Sequence, residues 1–195
     1  MAVEPTVGIL LAAGRGKRFD PNGQRDKLLA LLPSGVPVAV AAAKNLRAVL
    51  PRVIAVVRPH ATELAAALRD AGCEVVVCAN ADEGMGTVLA FAVQNCVDTN
   101  AWLVALADMP YIAPTTYSKL LAALDEHELV APEFDGQRGH PVGFQQCYLL
   151  QLLALQGEHG ARALMTRKPI FLLTTDDPGV LRDIDLAADL SAPIR

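Results

Sequence analysis

The sequence predicts an α/β fold, a Rossmann-like three-layer sandwich around a mostly parallel sheet, and three observations carry that expectation. Short apolar runs alternate with alanine-rich or amphipathic stretches of helical length, and the runs at 7–12 and 102–107 are ended by glycine and by aspartate. The first run, VGILLA at 7–12, is continuously apolar, as suits a strand buried on both faces. A length of 195 residues with 52% hydrophobic and 19% charged content closes one sizeable core, so a single domain is expected over 1–195.

The elements follow in order. After the strand at 7–12 comes a polar loop, then an alanine-rich helix at 37–50 with Pro37 in its first turn, then a second strand at 53–57. A helix is expected at 62–71, stopped by Gly72, followed by a strand at 74–78 and a helix that begins near Thr87. The strand at 102–107 opens on Trp102, a packing residue, and runs directly into Asp108. Such alternation implies parallel strands, right-handed crossovers and helices on both faces. From Val130 the pattern loosens, and EFDGQRGHPVGF reads as two short strands around 136–139. Short helices at 146–155 and 160–166 and a strand at 170–173 complete the chain.

Composition narrows the function. The formal charge of -4 is spread along the sequence, which argues against a nucleic-acid or anionic-membrane partner and for small-molecule chemistry. Cys73, Cys78, Cys96 and Cys147 lack metal-ligand or CxxC spacing, and Cys73 and Cys78 flank an apolar run that reads as a buried strand. Structural thiols of a reducing compartment are expected. Glu4 and Pro5 do not suit a signal peptide, and the uncharged run at 28–43 is broken by Pro33, Gly35 and Pro37 and is too short for a membrane span. A cytoplasmic location is the expectation.

In open α/β sheets ligands gather beyond the carboxyl ends of the strands, where the strand order reverses. Two segments of this chain belong on that rim: the loop after the first strand and the Asp108-Met109-Pro110 step. The loop, AAGRGKRFDPNGQRDK, sets Arg15, Lys17, Arg18, Arg25 and Lys27 against Asp20 and Asp26, and Gly14 and Gly16 let backbone amides approach an oxyanion. It fits neither the Walker spacing nor GxGxxG. Read alone, it is a solvated basic loop as readily as a triphosphate cradle. Asp108 alone is a turn former, but beside a triphosphate loop it becomes a magnesium ligand, since magnesium takes one or two carboxylates plus phosphate oxygens and water. Asp183-Ile184-Asp185 either caps a short helix or, if extended, presents both carboxylates on one face. His60, His127 and His159 read as surface or turn residues.

These residues resemble the MobA-like nucleotidyltransferases of molybdenum-cofactor maturation, in particular their cytidylyltransferase branch. The family's LAAGRGxRxG and KLL steps match 11–19 and Lys27-Leu28-Leu29, and its GM-containing loop matches Asn80 and Gly84-Met85-Gly86-Thr87. Its DxP step matches Asp108-Met109-Pro110, its RGHPV step 138–142, its GAR step Gly160-Ala161-Arg162, and its DIDTPxDL ending 183–190. The resemblance implies a sandwich of the nucleotide-diphospho-sugar transferase type. It also implies Mg2+-dependent transfer of a nucleoside monophosphate from a triphosphate to the terminal phosphate of molybdopterin, with release of pyrophosphate. CTP is favoured over GTP because guanylyltransferases of the group usually show LAGG. The implied nucleotide-binding residues are Leu11, Ala12, Ala13, Gly14, Arg15, Gly16, Arg18, Lys27, Asn80, Gly86 and Thr87. Arg15, Lys27 and Asp108 would be catalytic, and Arg138, His140 and Arg162 would face the acceptor. Asp108 would bind the metal, with Asp185 ahead of Asp183 as the further carboxylate. A molybdoenzyme recipient is a conceivable partner.

This sequence departs from the family by placing residues 20–26 between Phe19 and Lys27, a spacing longer than the family's usual one, by Asp20 where glycine is usual, and by Leu186-Ala187 in place of Thr-Pro. An acceptor phosphomonoester is already ionised near neutral pH, so positioning and charge neutralisation suffice and no side-chain base is required. Three rival functions share the pattern. One is nicotinamide-dependent reduction of a pigment, assigned to a few proteins that resemble the family, although the chain lacks a dinucleotide fingerprint. Another is a non-catalytic nucleotide-binding partner of a molybdoenzyme. The last is transfer to another phosphorylated metabolite, such as phospholactate or a sugar phosphate.

Overall fold

In the computed structural model, which describes residues 4–16, 18–20, 25–167 and 169–191, the first apolar run lies in the middle of the sheet. β1 (Glu4–Ala12) pairs in parallel with β2 (Val53–Val57) on one side and β4 (Thr99–Leu106) on the other. Its side chains alternate: Leu10 and Ala12 enter one apolar layer, Val7 and Ile9 the other, which is why the run carries no polar face. β3 (Glu74–Val77) adds to β2 as an edge, and β5 (Leu129–Phe134), β6 (Gln137–Arg138), β7 (Val142–Gln145) and β8 (Phe171–Thr174) build the other half. The sheet order is β3-β2-β1-β4-β7-β5-β6, with β8 paired to β5.

Helices cover both faces, giving the three layers expected. Residues of α1 (Val38–Arg47), α2 (Thr62–Asp70) and α4 (Pro114–Glu126) join the cluster that contains Leu10, while α3 (Met85–Gln94) and α5 (Leu149–Leu153) join the one that contains Ile9. At Gly8 a Cβ would stand 2.9 Å from Val53 and 3.2 Å from Leu46, so glycine there lets α1 settle close to the sheet. A short α6 (Leu164–Arg167) follows a one-turn 3-10 helix at Ala161–Ala163.

Several details differ from the sequence expectation. The 13-residue α4 is absent from the expected elements, although Pro114 in its first turn and buried Tyr117, Leu120 and Leu124 mark it. β3 is an edge strand with Glu74 and Val77 exposed, not a buried one, because β2 alone pairs with it; Cys73 and Cys78 are buried just beyond its ends. Burial pushes the Cys73 thiol up to about 11, and all four cysteines are free, with Cys147 exposed. β4 begins at Thr99, so Trp102 is a mid-strand residue, fully buried with Nε1 donating to the Cys96 carbonyl at 3.1 Å. β7 runs antiparallel to both β4 and β5. The reversal starts at Asp135-Gly136, both at positive φ, where the chain turns from β5 into β6. Among the described residues no helix is long and apolar enough to cross a membrane.

From β1 the chain proceeds through α1 to β2 on one side, and from β4 through α4 to the β5 half on the other. The carboxyl ends of β1 and β4 therefore flank the point where the strand order reverses, and a crevice opens there.

Candidate active site

Three hydrogen-bonded anchors, two between backbone groups and one from a side chain, bring the acidic residues to this crevice. Ala107 N donates to the Leu11 carbonyl at 3.0 Å, which ties the end of β4 to that of β1 just before Asp108. Asn45 of α1 donates through Nδ2 to the carbonyls of Pro110 (3.0 Å) and Ile112 (3.1 Å) and holds the turn that follows. Ile184 N donates to the Asp108 carbonyl at 2.8 Å while the Ile184 side chain is fully buried in the core. With Ile184 turned inward, its two neighbours turn outward, and ligand oxygens of Asp108, Asp183 and Asp185 lie within 4.8 Å of one another. Leu186-Ala187 does not disturb this arrangement: Asp189 accepts from Asp185 N (2.9 Å) and Leu186 N (2.6 Å), and so fixes the last turn. Earlier in the same C-terminal segment, Asp177 accepts from Ala113 N (2.9 Å), Thr116 Oγ1 (2.6 Å) and Gly179 N (2.9 Å), docking it on the start of α4.

Cations from the first loop face the carboxylates. Lys27 starts a 3-10 turn, Lys27–Leu29, capped by Asp26, whose side chain accepts from Leu28 N at 2.9 Å. The Lys27 ammonium lies 2.7 Å from Asp108 and 3.5 Å from Asp185, with its side chain 9% exposed. Arg18 reaches Asp185 at 2.6 Å. The loop closes on Gly16, at φ 59°, whose carbonyl accepts from Phe19 N (2.9 Å) and Asp20 N (3.2 Å). Asp20, in the place usually held by glycine, accepts from Arg25 N at 2.7 Å. Lys17 and 21–24 lie outside the described residues. Arg15 points across the crevice to Asp82, with Nε 2.8 Å from Oδ1, and Arg58 donates to the Gly14 carbonyl.

Two cavities adjoin at this place. One, of about 480 Å³, is lined by Ala13, Gly14, Arg15, Gly16, Arg18, Lys27 and Asp108. The other, of about 740 Å³, is lined by Arg138, His140 and Arg162 over an apolar floor that includes Leu89, Val104 and Phe144. Leu11, Met85, Leu106 and Glu158 belong to both. Thus the first loop, Asp108 and the three residues expected at the acceptor converge. Ala12 does not join them, because strand alternation buries its side chain on the opposite face. Asn80 and Thr87 line a separate cavity of about 830 Å³ with Phe91 and Gln94 of α3. Gly86 is buried, and a Cβ there would lie 2.8 Å from the Gln156 carbonyl, so it serves the docking of α3 against the 156–158 segment.

Partial burial, then the charges of Asp185 and Asp108, push the Asp183 carboxyl above the usual range. Burial lowers the His140 imidazole; Asp108 opposes that shift and Arg138 adds to it. Clustered carboxylate oxygens are the hard donors that Mg2+ and Mn2+ prefer, so the residues fit a divalent cation. Asn45, Asp82, Glu158, Asp177 and Asp189 were not legible as site residues. Asp82 and Glu158 do lie beside family steps, whereas Asn45 in mid-helix carries no local signal.

The sheet order and the crevice with its two loops define a sandwich of the nucleotide-diphospho-sugar transferase class. The model of the MobA-like NTP transferase domain matches residues 8–171, and the chain belongs to that family. Membership makes it a nucleotidyltransferase-family protein acting on small molecules, with a nucleoside triphosphate as substrate. Among solved structures, Rv0371c of Mycobacterium tuberculosis superposes with a TM-score of 0.83 at 25% identity, over 97% of this chain and 96% of that one. The complex of Rv0371c with manganese gives 0.78 at 25% identity, over 94% and 95%. Nicotine blue oxidoreductase of Paenarthrobacter nicotinovorans is 27% identical over 189 residues, 92% of this chain and 91% of the relative.

Proposed function

We propose that the protein transfers a nucleoside monophosphate, CMP in preference to GMP, from its triphosphate to the phosphate of a molybdopterin-type acceptor, with Mg2+ and release of pyrophosphate. The observation that carries this reading is the meeting of the basic loop with the Asp108, Asp183 and Asp185 carboxylates, of which Asp108 lines the smaller cavity with that loop. Arg15, Arg18 and Lys27 would bind the triphosphate, and Gly14 and Gly16 would offer it backbone amides. Asp108 and Asp185, with Asp183, would hold the cation, which when bound neutralises charge on the transferring phosphoryl group. Arg138, His140 and Arg162 would orient the acceptor so that its phosphate oxygen bonds to the α-phosphorus as the bond to pyrophosphate breaks. Cytidine is preferred on the strength of Ala13, which stands where guanylyltransferases of the group usually show glycine.

The test is pyrophosphate release from CTP, GTP and ATP, with and without molybdopterin, by wild type and Asp108→Ala. Release is expected with CTP and molybdopterin and a loss of at least about 100-fold in Asp108→Ala. Wild-type rates in the variant would remove the metal site. Nucleotide binding without release would favour the non-catalytic partner. The name of the Paenarthrobacter relative raises the oxidoreductase reading, but hydride transfer makes no use of three converging carboxylates. Acceptor-dependent loss of NADPH absorbance without pyrophosphate release would overturn the transferase.

A further inference from the structure

Around the smaller cavity Arg15, Arg18 and Lys27 are each engaged by a carboxylate. The larger cavity differs. Arg138, Arg162 and Glu158 all line it, and among the described residues none of the three side chains forms an ion pair, although Glu158 is opposite in charge to the two arginines. His140, on the same wall as Arg138, has a buried Nδ1 without a hydrogen-bond partner. The space between them is floored by Leu89, Val104, Val142, Phe144 and Met165, a surface suited to the face of a flat ring. Uncommitted cations and one uncommitted carboxylate over an apolar floor describe a ligand with an anionic end and a separate edge rich in hydrogen-bond donors.

The position of Glu158 is set by the backbone before it. Gly84 and Gly86 at the start of α3 press against 156–158, so closely that an added Cβ would lie 2.5 Å from Gly157 C and 2.8 Å from the Gln156 carbonyl. Thr87 Oγ1 accepts from Gly157 N at 3.1 Å and locks the same contact. Glu158 is thereby presented where the two cavities join. A carboxylate there repels phosphate oxygens and attracts N–H groups.

We propose that Glu158 is the specificity-determining residue of the acceptor cavity, its carboxylate accepting two hydrogen bonds from the N–H and NH2 of a cyclic amidine edge on the acceptor ring. Arg138 and Arg162 draw the anionic end of the same molecule. The inference rests on the transferase reading for what occupies the cavity, and it concerns ring recognition rather than phosphoryl transfer.

The test compares pterin-6-carboxylate, which carries that edge, with lumazine-6-carboxylate, in which the 2-amino group is replaced by a carbonyl. Binding to the full chain is followed by ligand fluorescence, and CTP affinity is measured in parallel. Wild type is expected to prefer the pterin by about tenfold or more. Glu158→Gln is expected to abolish that preference by weakening the pterin alone, with no loss of lumazine affinity and with CTP binding at least as tight, since the variant removes a charge that repels phosphate oxygens. The proposal is overturned if wild type binds both equally or neither. It is equally overturned if Glu158→Gln keeps the preference, or loses lumazine or CTP affinity in parallel, as a merely structural or nucleotide-binding residue would. Failure of wild type to release pyrophosphate from CTP and molybdopterin would instead sink the transferase reading, whatever the pterin preference.

Discussion

Replacing Lys27 with methionine keeps the aliphatic stem and removes the ammonium that lies 2.7 Å from Asp108 and 3.5 Å from Asp185. Three carboxylates within 4.8 Å are then opposed by Arg18, whose side chain is 78% exposed and, among the described residues, pairs with Asp185 alone. Breaking a fully buried pair costs about 3–5 kcal/mol, and an exposed pair is worth at most about 1 kcal/mol. Lys27 is nearly buried while Asp108 and Asp185 remain 24% and 28% exposed, so a loss of about 2 kcal/mol is expected, between the two limits. With a urea slope of about 2 kcal/mol/M, the unfolding midpoint in EDTA falls by roughly 1 M. Adding Mn2+ restores part of the loss, because a cation that binds the folded cluster replaces the missing charge. The double variant Lys27→Met/Asp108→Asn is expected to be more stable than the sum of the two single losses predicts, since the second change removes a charge that the first left uncompensated. A midpoint equal to wild type in Lys27→Met, or strict additivity in the double variant, would refute this account of the cluster.

Two further outcomes follow from the same region. In Gly139→Ala the new Cβ would stand 2.3 Å from the Val180 carbonyl, which also accepts from His140 N at 2.9 Å, so the C-terminal segment must shift at a cost of about 2 kcal/mol. Calorimetry and Mn2+ titration should both register it, whereas Gly14→Ala, with nothing within 4 Å of its Cβ, should unfold within about 0.5 kcal/mol of wild type. The raised Asp183 pKa means that, between the ordinary aspartate range and the elevated value, the folded chain holds a proton the unfolded chain has released. Stability from this group therefore rises as pH falls through that window, while divalent-cation affinity falls. Asp183→Asn should flatten the stability change in EDTA, and an unchanged slope would show that Asp183 is not its source.

Patterns that depend on neighbours in the chain were legible from residue types. The apolar run that became β1, the helix opened at Pro37 and the strand at Val53–Val57 follow from local periodicity. Of the two readings open for Asp183-Ile184-Asp185, the extended one set both carboxylates on one side, and the buried Ile184 and clustered carboxylate oxygens agree with that one. The same period of two also explains Ala12: had alternation been applied to 11–13, its burial away from the crevice could have been foreseen. α4 was equally available, because its proline and its leucine spacing are local.

What the tertiary structure alone decided depends on contacts between residues far apart in the chain. Lys27 meets Asp108 across 81 positions and Asp185 across 158, and no local pattern specifies either pair. β7 lies between β4 and β5 because a hairpin reversal lets it complete both neighbours' hydrogen bonds, a choice settled by sheet pairing. Asn80 and Thr87 fall on another side of α3 because the helix begins at Met85 and docks on 156–158, which also brings Glu158 to the crevice. Residue types and short spacings thus determined the chemistry that the chain carries. Which of those groups share one site was decided by backbone hydrogen bonds and close packing between distant segments, interactions that exist only once the sheet has closed its core.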